Sequence, residues 1–156
     1  MATCVLGIGD RHSDNYMVHQ NGQFFHIDFG HFLGNFKSKF KIKRERSPFV
    51  FSPQMKFAID AGQKKCELYE EFLNWCVEAY NVLRVRSRLL LVLFTLMVSA
   101  GVPELSVESD ILYFQNMLNL SYAPKKASTH IRKEIEKALR DKARLMDNHI
   151  HLKVHL

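Results

Sequence analysis

Cysteine is scarce in this chain, and its placement excludes two classes of protein. Cys4, Cys66 and Cys76 are the three among 156 residues, an odd number with no paired spacing. A small secreted scaffold needs an even cysteine framework, so these thiols fit a reducing compartment better. No two lie within two to four residues of each other, the spacing of a structural zinc site. Long apolar runs are also missing. The most apolar stretch, Leu89 to Val98, has ten residues, whereas a bilayer span takes roughly 20. It is expected to be a buried core helix. Met1 is followed by a strand-like segment rather than a basic patch and an apolar run, so no signal peptide is expected. Internal repeats and low-complexity tracts are absent as well.

What remains is an ordinary globular composition, 47% apolar and 24% charged, with length enough for one domain and a real core. The net charge of +6 is local. Lys37, Lys39, Lys41, Lys43, Arg44 and Arg46 crowd into ten residues against the single acid Glu45. A cluster of this kind suits a phosphate-bearing ligand: nucleic acid, an anionic lipid headgroup or a phosphorylated protein.

The periodicity divides the chain into a β part and an α part. Val5-Leu6-Gly7-Ile8 is a short apolar run. Tyr16 to His19 and Gln23 to Ile27 are strand-like and flank Gln20-Asn21-Gly22, a hairpin signal. Residues 29–53 lack a sustained period and read as a long loop. Beyond it, Leu68, Phe72, Cys76, Ala79 and Leu83 recur at helical spacing. Ser87 to Ala100 is apolar on nearly every side, which predicts a central helix ended by Gly101 and Pro103. Ser109-Asp110 could start a helix carrying Ile111, Phe114 and Leu118. A last amphipathic helix is expected from about Thr129 to Met146, through Ile131, Ile135, Leu139 and Ala143. The fold class is α+β and mostly helical.

The chemistry is concentrated between Gly9 and Gly30. Asp10 and Asn15 form Asp-x-x-x-x-Asn, and thirteen residues after Asn15 comes Asp28-Phe29-Gly30. Either motif alone is common. Both in this order, with an Asn-Gly hairpin between them, match the layout of a kinase catalytic loop and metal segment. One Asp must reach the substrate hydroxyl, while the Asn and the later Asp bind Mg²⁺. The hairpin brings those two metal ligands together at one end of adjacent strands. Phosphoryl transfer needs this, because its catalysis is mostly positioning and charge neutralisation.

Gly9-Asp10-Arg11-His12-Ser13-Asp14-Asn15 reverses the His-Arg-Asp of protein kinases, and in this it resembles the phosphoinositide 3-/4-kinase superfamily. His26-Ile27-Asp28-Phe29-Gly30-His31 is similar to that superfamily's metal-binding segment. Phe32 to Phe40, then Lys43-Arg44-Glu45-Arg46, resembles the activation loop of class I phosphoinositide 3-kinases, and Leu96-Met97 through Gly101-Val102-Pro103-Glu104-Leu105 their C-lobe. The resemblance covers residues 4–120 well.

It implies a kinase-like C-lobe over residues 1–156, with a catalytic loop at 9–15 and an activation loop at 28–51. Asp10 and His12 would be the proton-handling pair, and which of them is the base stays open. A neutral imidazole is well placed for that work, with a reference pKa of about 6.5. Arg11 would hold the loop by pairing a carboxylate in two places. Asn15 and Asp28 would hold Mg²⁺, and ATP would be the phosphoryl donor. Lys37 and Lys39 form one basic box, and Lys43, Arg44 and Arg46 a second. In the family two such boxes go with phosphatidylinositol 4,5-bisphosphate. The implied setting is cytoplasmic, with recruitment to the inner face of the plasma membrane; a regulatory subunit is an open partner. Nucleic acid fits poorly, since no repeated aromatic platform accompanies the charge.

Several features depart from the family. The N-lobe's phosphate-covering loop, ATP-binding Lys and hinge are not in this sequence, so the chain by itself is expected to be inactive. A non-catalytic scaffold, or another lipid or protein kinase of the superfamily, is the alternative. Lys41 stands where Gly is usual and Ser47 where Val is usual. Trp75 is the single Trp, and the family's Trp-containing C-terminal stretch is replaced by Arg140-Asp141-Lys142-Ala143-Arg144 and a tail with His149, His151 and His155. Losing interfacial Trp would weaken membrane docking. The tail histidines read as a frayed terminus rather than a metal site.

Overall fold

A computed structural model describes residues 1–33, 38–39, 42–43, 49–101 and 108–141; at 13, 38, 39, 42, 43 and 108 only the backbone is described. The elements in order are α1 (Ala2–Val5), a 3₁₀ turn (Ser13–Asn15), β1 (Tyr16–Val18), β2 (Phe24–His26), β3 (Ser38–Lys39), β4 (Ile42–Lys43), α2 (Pro53–Asp60), α3 (Glu67–Val85), α4 (Ser87–Ser99), α5 (Glu108–Leu118) and α6 (Pro124–Leu139). Strands β1 and β2 pair antiparallel, Tyr16 opposite His26, Met17 opposite Phe25 and Val18 opposite Phe24. A second short antiparallel pair, β3 with β4, lies inside the stretch expected to be loop. The architecture is α+β and mostly helical, as the sequence predicts.

The Asn-Gly hairpin forms at its expected place. His19 N donates to Gln23 O at 2.8 Å and Gly22 N to His19 O at 2.8 Å. Gly22 takes the left-handed φ of +85° that the last position of a three-residue hairpin loop requires. The first segment departs from its expectation. Residues 2–5 are a helical turn instead of a strand, with Val5 N donating to Met1 O and Leu6 N to Ala2 O. The chain then reverses at Gly7, whose φ is +54°. A Cβ there would sit 2.3 Å from the Tyr113 hydroxyl oxygen, so glycine is needed for space as well as for conformation.

The helices bury one common core. Tyr80 and Leu118 are fully buried, with Phe114, Ile131, Ile135, Ala127, Leu73, Cys4 and Val5 around them. The Tyr80 hydroxyl donates to Met117 O at 2.8 Å. Arg84 ties α3 to the turn after α5, donating to Leu118 O at 2.9 Å, to Asn119 O at 3.2 Å and to Tyr122 O. Phe51 stacks on Phe72 and Tyr69, with ring centres 5.3 and 6.5 Å away.

Four helix expectations need correction. Helix α2 is unforeseen, although its signal was present: Ser52 caps it by accepting from Met55 N at 3.2 Å, and Pro53 occupies the first turn. Helix α3 buries Leu73, Cys76 and Tyr80 and leaves Leu68 61% exposed, so its inner face is rotated from the expected one. Helix α4 is where expected but is not central, for it contains no buried residue. Helix α6 starts earlier, at Pro124, and is capped at Arg140; Ala143 and Met146 lie outside the described residues. No described helix is long and apolar enough to cross a membrane.

Candidate functional site

The site is assembled where three short segments meet. Gly9 N donates to His31 O at 2.8 Å and Leu33 N to Leu6 O at 2.7 Å, so the chain after Asp-Phe-Gly returns along the segment that enters the Asp10 loop. Ile27 N donates to Asn15 O at 3.1 Å, which continues the β1–β2 ladder past its last pair. Asn15 and Asp28 thereby stand at the same end of the hairpin.

Arg11 locks this junction from inside. Its side chain is 8% exposed. Nε donates to Gly9 O at 2.7 Å, Nη1 to Asn15 O at 3.0 Å and to Ile27 O at 2.7 Å, and Nη2 to Asp28 O. These four bonds go to backbone carbonyls. The planar fork suits the task, because it presents several donors in fixed directions and stays charged when buried. One side chain therefore holds both the Asp10–Asn15 loop and the Ile27–Asp28 segment. Its guanidinium carbon also lies 5.9 Å from the centre of the Phe29 ring, which is 52% exposed.

Both aspartates of the site have left-handed backbones, Asp10 with φ of +53° and Asp28 with φ of +59°. This conformation is costly for residues with a Cβ, least so for Asn and Asp, and it clusters at functional positions. Asp28 offsets part of the cost, since its Oδ1 accepts from Gly30 N at 3.3 Å. Asn15, 6% exposed, donates from Nδ2 to Asp10 O at 2.7 Å. A carbonyl only accepts, so this bond fixes the amide orientation and leaves Oδ1 as the atom able to take a cation. His12 Nε2 lies 3.9 Å from Asp10 Oδ2, each side chain about a fifth exposed. Burial, reinforced by the Arg11 charge, holds the His26 imidazole below its ordinary value.

The hairpin also offers residues that motif reading missed. Met17 and Phe25 are cross-strand partners. Ile27, two residues on, shares their face, as does Asn15. Met17, Phe25 and Ile27 are 51%, 41% and 36% exposed. This face is an apolar floor beside the polar cluster. The alternation was legible in the sequence, but nothing there said that this face would be open. On the opposite face Tyr16, Phe24 and His26 pack together, with ring centres 5.2 and 5.1 Å apart.

Gly9, Asp10, Arg11, His12, Asn15, Asp28, Phe29 and Gly30 are thus brought into one locality. The basic boxes are a different matter. Lys37, Arg44 and Arg46 lie outside the described residues, and for Lys39 in β3 and Lys43 in β4 only the backbone is described. Among the described residues no group of three or more His, Cys, Asp or Glu could hold a metal. Asn15 and Asp28 offer oxygen donors at the site, hard ligands of the kind Mg²⁺ takes.

Comparison with known proteins identifies the family. Residues 1–107 match the family model described as phosphatidylinositol 3- and 4-kinase. The chain is 44% identical over 155 residues to phosphatidylinositol 3-kinase 1 of Dictyostelium discoideum, covering 99% of this chain and 10% of that protein. To phosphatidylinositol 3-kinase 2 of the same organism it is 46% identical, covering 97% of the chain and 8% of the relative. The human phosphatidylinositol 3-kinase C2 domain-containing subunit gamma is 40% identical, over 97% of the chain and 10% of its own length. The chain spans about a tenth of these relatives, and it belongs to the phosphatidylinositol 3- and 4-kinase family.

Proposed function

We propose that this chain is the C-terminal lobe of a phosphoinositide 3-kinase catalytic domain, moving the γ-phosphoryl group of ATP to the inositol 3-hydroxyl of a membrane lipid. The observation that supports the reading is the Arg11 junction, which ties the loop from Gly9 to Asn15 to the Ile27–Asp28 segment. The Asp10–His12 pair takes the proton of the attacking hydroxyl. The floor of Met17, Phe25 and Ile27 seats a flat apolar group such as the adenine ring. Asn15 Oδ1 and the Asp28 carboxylate would hold Mg²⁺, which would supply charge neutralisation to the phosphates when bound. The parts that cover the phosphates would come from an N-lobe elsewhere in a longer polypeptide.

The finer reading is a class I enzyme acting on phosphatidylinositol 4,5-bisphosphate at the inner face of the plasma membrane. It rests on the two boxes, Lys37 with Lys39, and Lys43 with Arg44 and Arg46. Extra headgroup phosphates are dianionic, and cations at this density match them.

A chimera tests the proposal: this sequence replaces the matched stretch of Dictyostelium phosphatidylinositol 3-kinase 1 and is assayed with radiolabelled ATP and lipid vesicles. The expected result is 3-phosphorylation that Asp28→Ala abolishes, with no turnover by the 156-residue chain alone. Replacing Lys37, Lys39, Lys43 and Arg44 by Ala should cut activity on the bisphosphate about ten- to a hundredfold more than on unphosphorylated phosphatidylinositol, in vesicles of matched charge. A folded but inactive chimera would overturn the enzyme reading, and equal losses on both lipids the headgroup reading.

A further inference from the structure

Helix α6 turns one face to the core and a ridge of cations outward. Ala127, Ile131, Ile135 and Ala138 are buried. On the far side Lys126, Lys133, Lys137 and the C-cap Arg140 follow at spacings of seven, four and three. At 3.6 residues per turn these positions fall within about 60° of arc, along a ridge about 21 Å long. The Lys137 side chain is 58% exposed and that of Arg140 81%. The acids nearby flank the ridge rather than interrupt it. Glu134 lies 3.5 Å from Lys137, and Glu136 3.8 Å from Arg140. Surface pairs of this kind contribute little, so these cations exchange readily for another anion.

The charge continues past the helix in the sequence. Residues 125–156 hold nine Lys and Arg against four Asp and Glu, an excess that acids elsewhere in the chain offset. The other basic stretch runs from Lys37 to Arg46. The fold brings the second half of α6 and the exit from that stretch to the same end of α3. Arg132 donates to Glu70 Oε2 at 3.1 Å and to Asn74 Oδ1. Phe51, where the chain re-enters the core, stacks on Tyr69 and Phe72.

We infer that the outer ridge of α6 is a docking surface for an anionic lipid bilayer, held by charge alone. This goes beyond the catalytic reading, since it needs no turnover. Charge complementarity selects the partner. A plane of anionic headgroups meets a straight ridge along its whole length, and each Lys or Arg near such a surface strengthens binding about fivefold. The usual apolar anchor is not available to this helix. A helix lying in the interface buries its apolar side among acyl chains, and α6 uses its own against the core. Among the described residues no exposed large apolar side chain belongs to α6, and the single Trp, Trp75, is on α3. The ridge therefore rests on the surface without entering it. A nucleic acid fits less well, because α6 contains no Phe, Tyr or Trp on which a base could stack.

Flotation of the 156-residue chain with vesicles tests this. Phosphatidylcholine alone is compared with phosphatidylcholine carrying phosphatidylserine, an anionic lipid without an inositol to phosphorylate. Alanine in place of Lys37, Lys39, Lys43 and Arg44 takes the other basic stretch out of the measurement. In that background the chain should bind the phosphatidylserine vesicles and ignore the neutral ones. It should let go as salt rises from about 0.1 M to about 1 M, where the screening length falls from about 10 Å to about 3 Å. Lys133→Gln with Lys137→Gln should weaken binding about twentyfold, at about fivefold for each charge. Lys133→Arg with Lys137→Arg should keep it, and the same ratios are expected with the other basic stretch intact. Circular dichroism melts should match across the set, since both positions are exposed. Arg86→Gln with Arg88→Gln removes equal charge from the corner between α3 and α4 and should leave binding within about twofold. No vesicle binding in the alanine background would overturn the proposal, as would equal weakening by the Arg86/Arg88 change. So would binding that survives the Lys133/Lys137 change or high salt, or a tighter hold on a DNA duplex than on the vesicles. The kinase reading is judged separately by turnover of the chimera, which can fail while vesicle binding persists.

Discussion

Replacing Arg11 by Met should loosen the whole candidate site, because one guanidinium now serves two segments. Met keeps most of the apolar stem and removes every donor. Four carbonyls then lose a bond, but they do not suffer equally, and Asn15 O still accepts from Ile27 N. Gly9 O and Asn15 O are bonded in buried surroundings, whereas Ile27 O and Asp28 O are partly exposed and can be rewetted. An unsatisfied buried polar group costs about 1–3 kcal/mol; Gly9 O is left in that state while Asn15 O keeps the Ile27 amide, which sets a loss of about 2–3 kcal/mol. Removing the buried charge itself recovers some of this. Lys at the same position reaches one cluster but not both, and should lose about half as much. Against the 5–15 kcal/mol typical of a domain, with a urea m-value of about 2 kcal/mol/M, the midpoint should fall by roughly 1–1.5 M for Met. Hydrogen exchange adds a local readout, for the Ile27 amide bonded to Asn15 O should lose protection before the amides of α3 do. A shift under about 0.5 M, or an Ile27 amide as protected as before, would refute the view that Arg11 joins the loop to the metal segment.

Gly7→Ala should destabilise by about 1–3 kcal/mol in a thermal melt, because it needs a positive φ and meets the Tyr113 ring at 2.3–2.5 Å; adding Tyr113→Ala should recover only the steric part, and wild-type stability for Gly7→Ala would contradict the packing. Stability should fall as pH drops below about 6.5, the ordinary value from which His26 is lowered: there the unfolded chain binds a proton that the folded chain resists. His26→Phe should flatten that limb between pH 7 and 5, and an unchanged slope would remove His26 as its source. The Cys4 thiol is pushed up to about 12 by burial and Cys76 is raised by the same cause, so a thiol reagent at pH 8 should modify Cys66 first in native protein and all three only after denaturation; early modification of Cys4 would mean that its enclosure opens readily.

What the sequence by itself determined was local chemistry. The Asn21-Gly22 turn, the Asp10 and Asn15 spacing and the Asp28-Phe29-Gly30 segment are short-range patterns, and short-range patterns survive without knowledge of neighbours. Helices α3, α4 and α5 were legible for a similar reason, since apolar periodicity declares a helix whatever it packs against. The Ser52-Pro53 start of α2 was equally local and was overlooked because it sits at the edge of a long aperiodic stretch. Tertiary structure alone decided which way each apolar face looks. Leu68 and the outer side of α4 have the composition of core, yet burial depends on whether another element arrives to cover them. It also decided the partners of Arg11. Gly9 and Asn15 are two and four residues from it, but Ile27 and Asp28 are sixteen and seventeen away, and only the return of the chain through β2 brings those two carbonyls within reach of the same guanidinium. The strained backbones of Asp10 and Asp28 follow from that same closure, because a local conformation that costs energy persists only where surrounding contacts impose it.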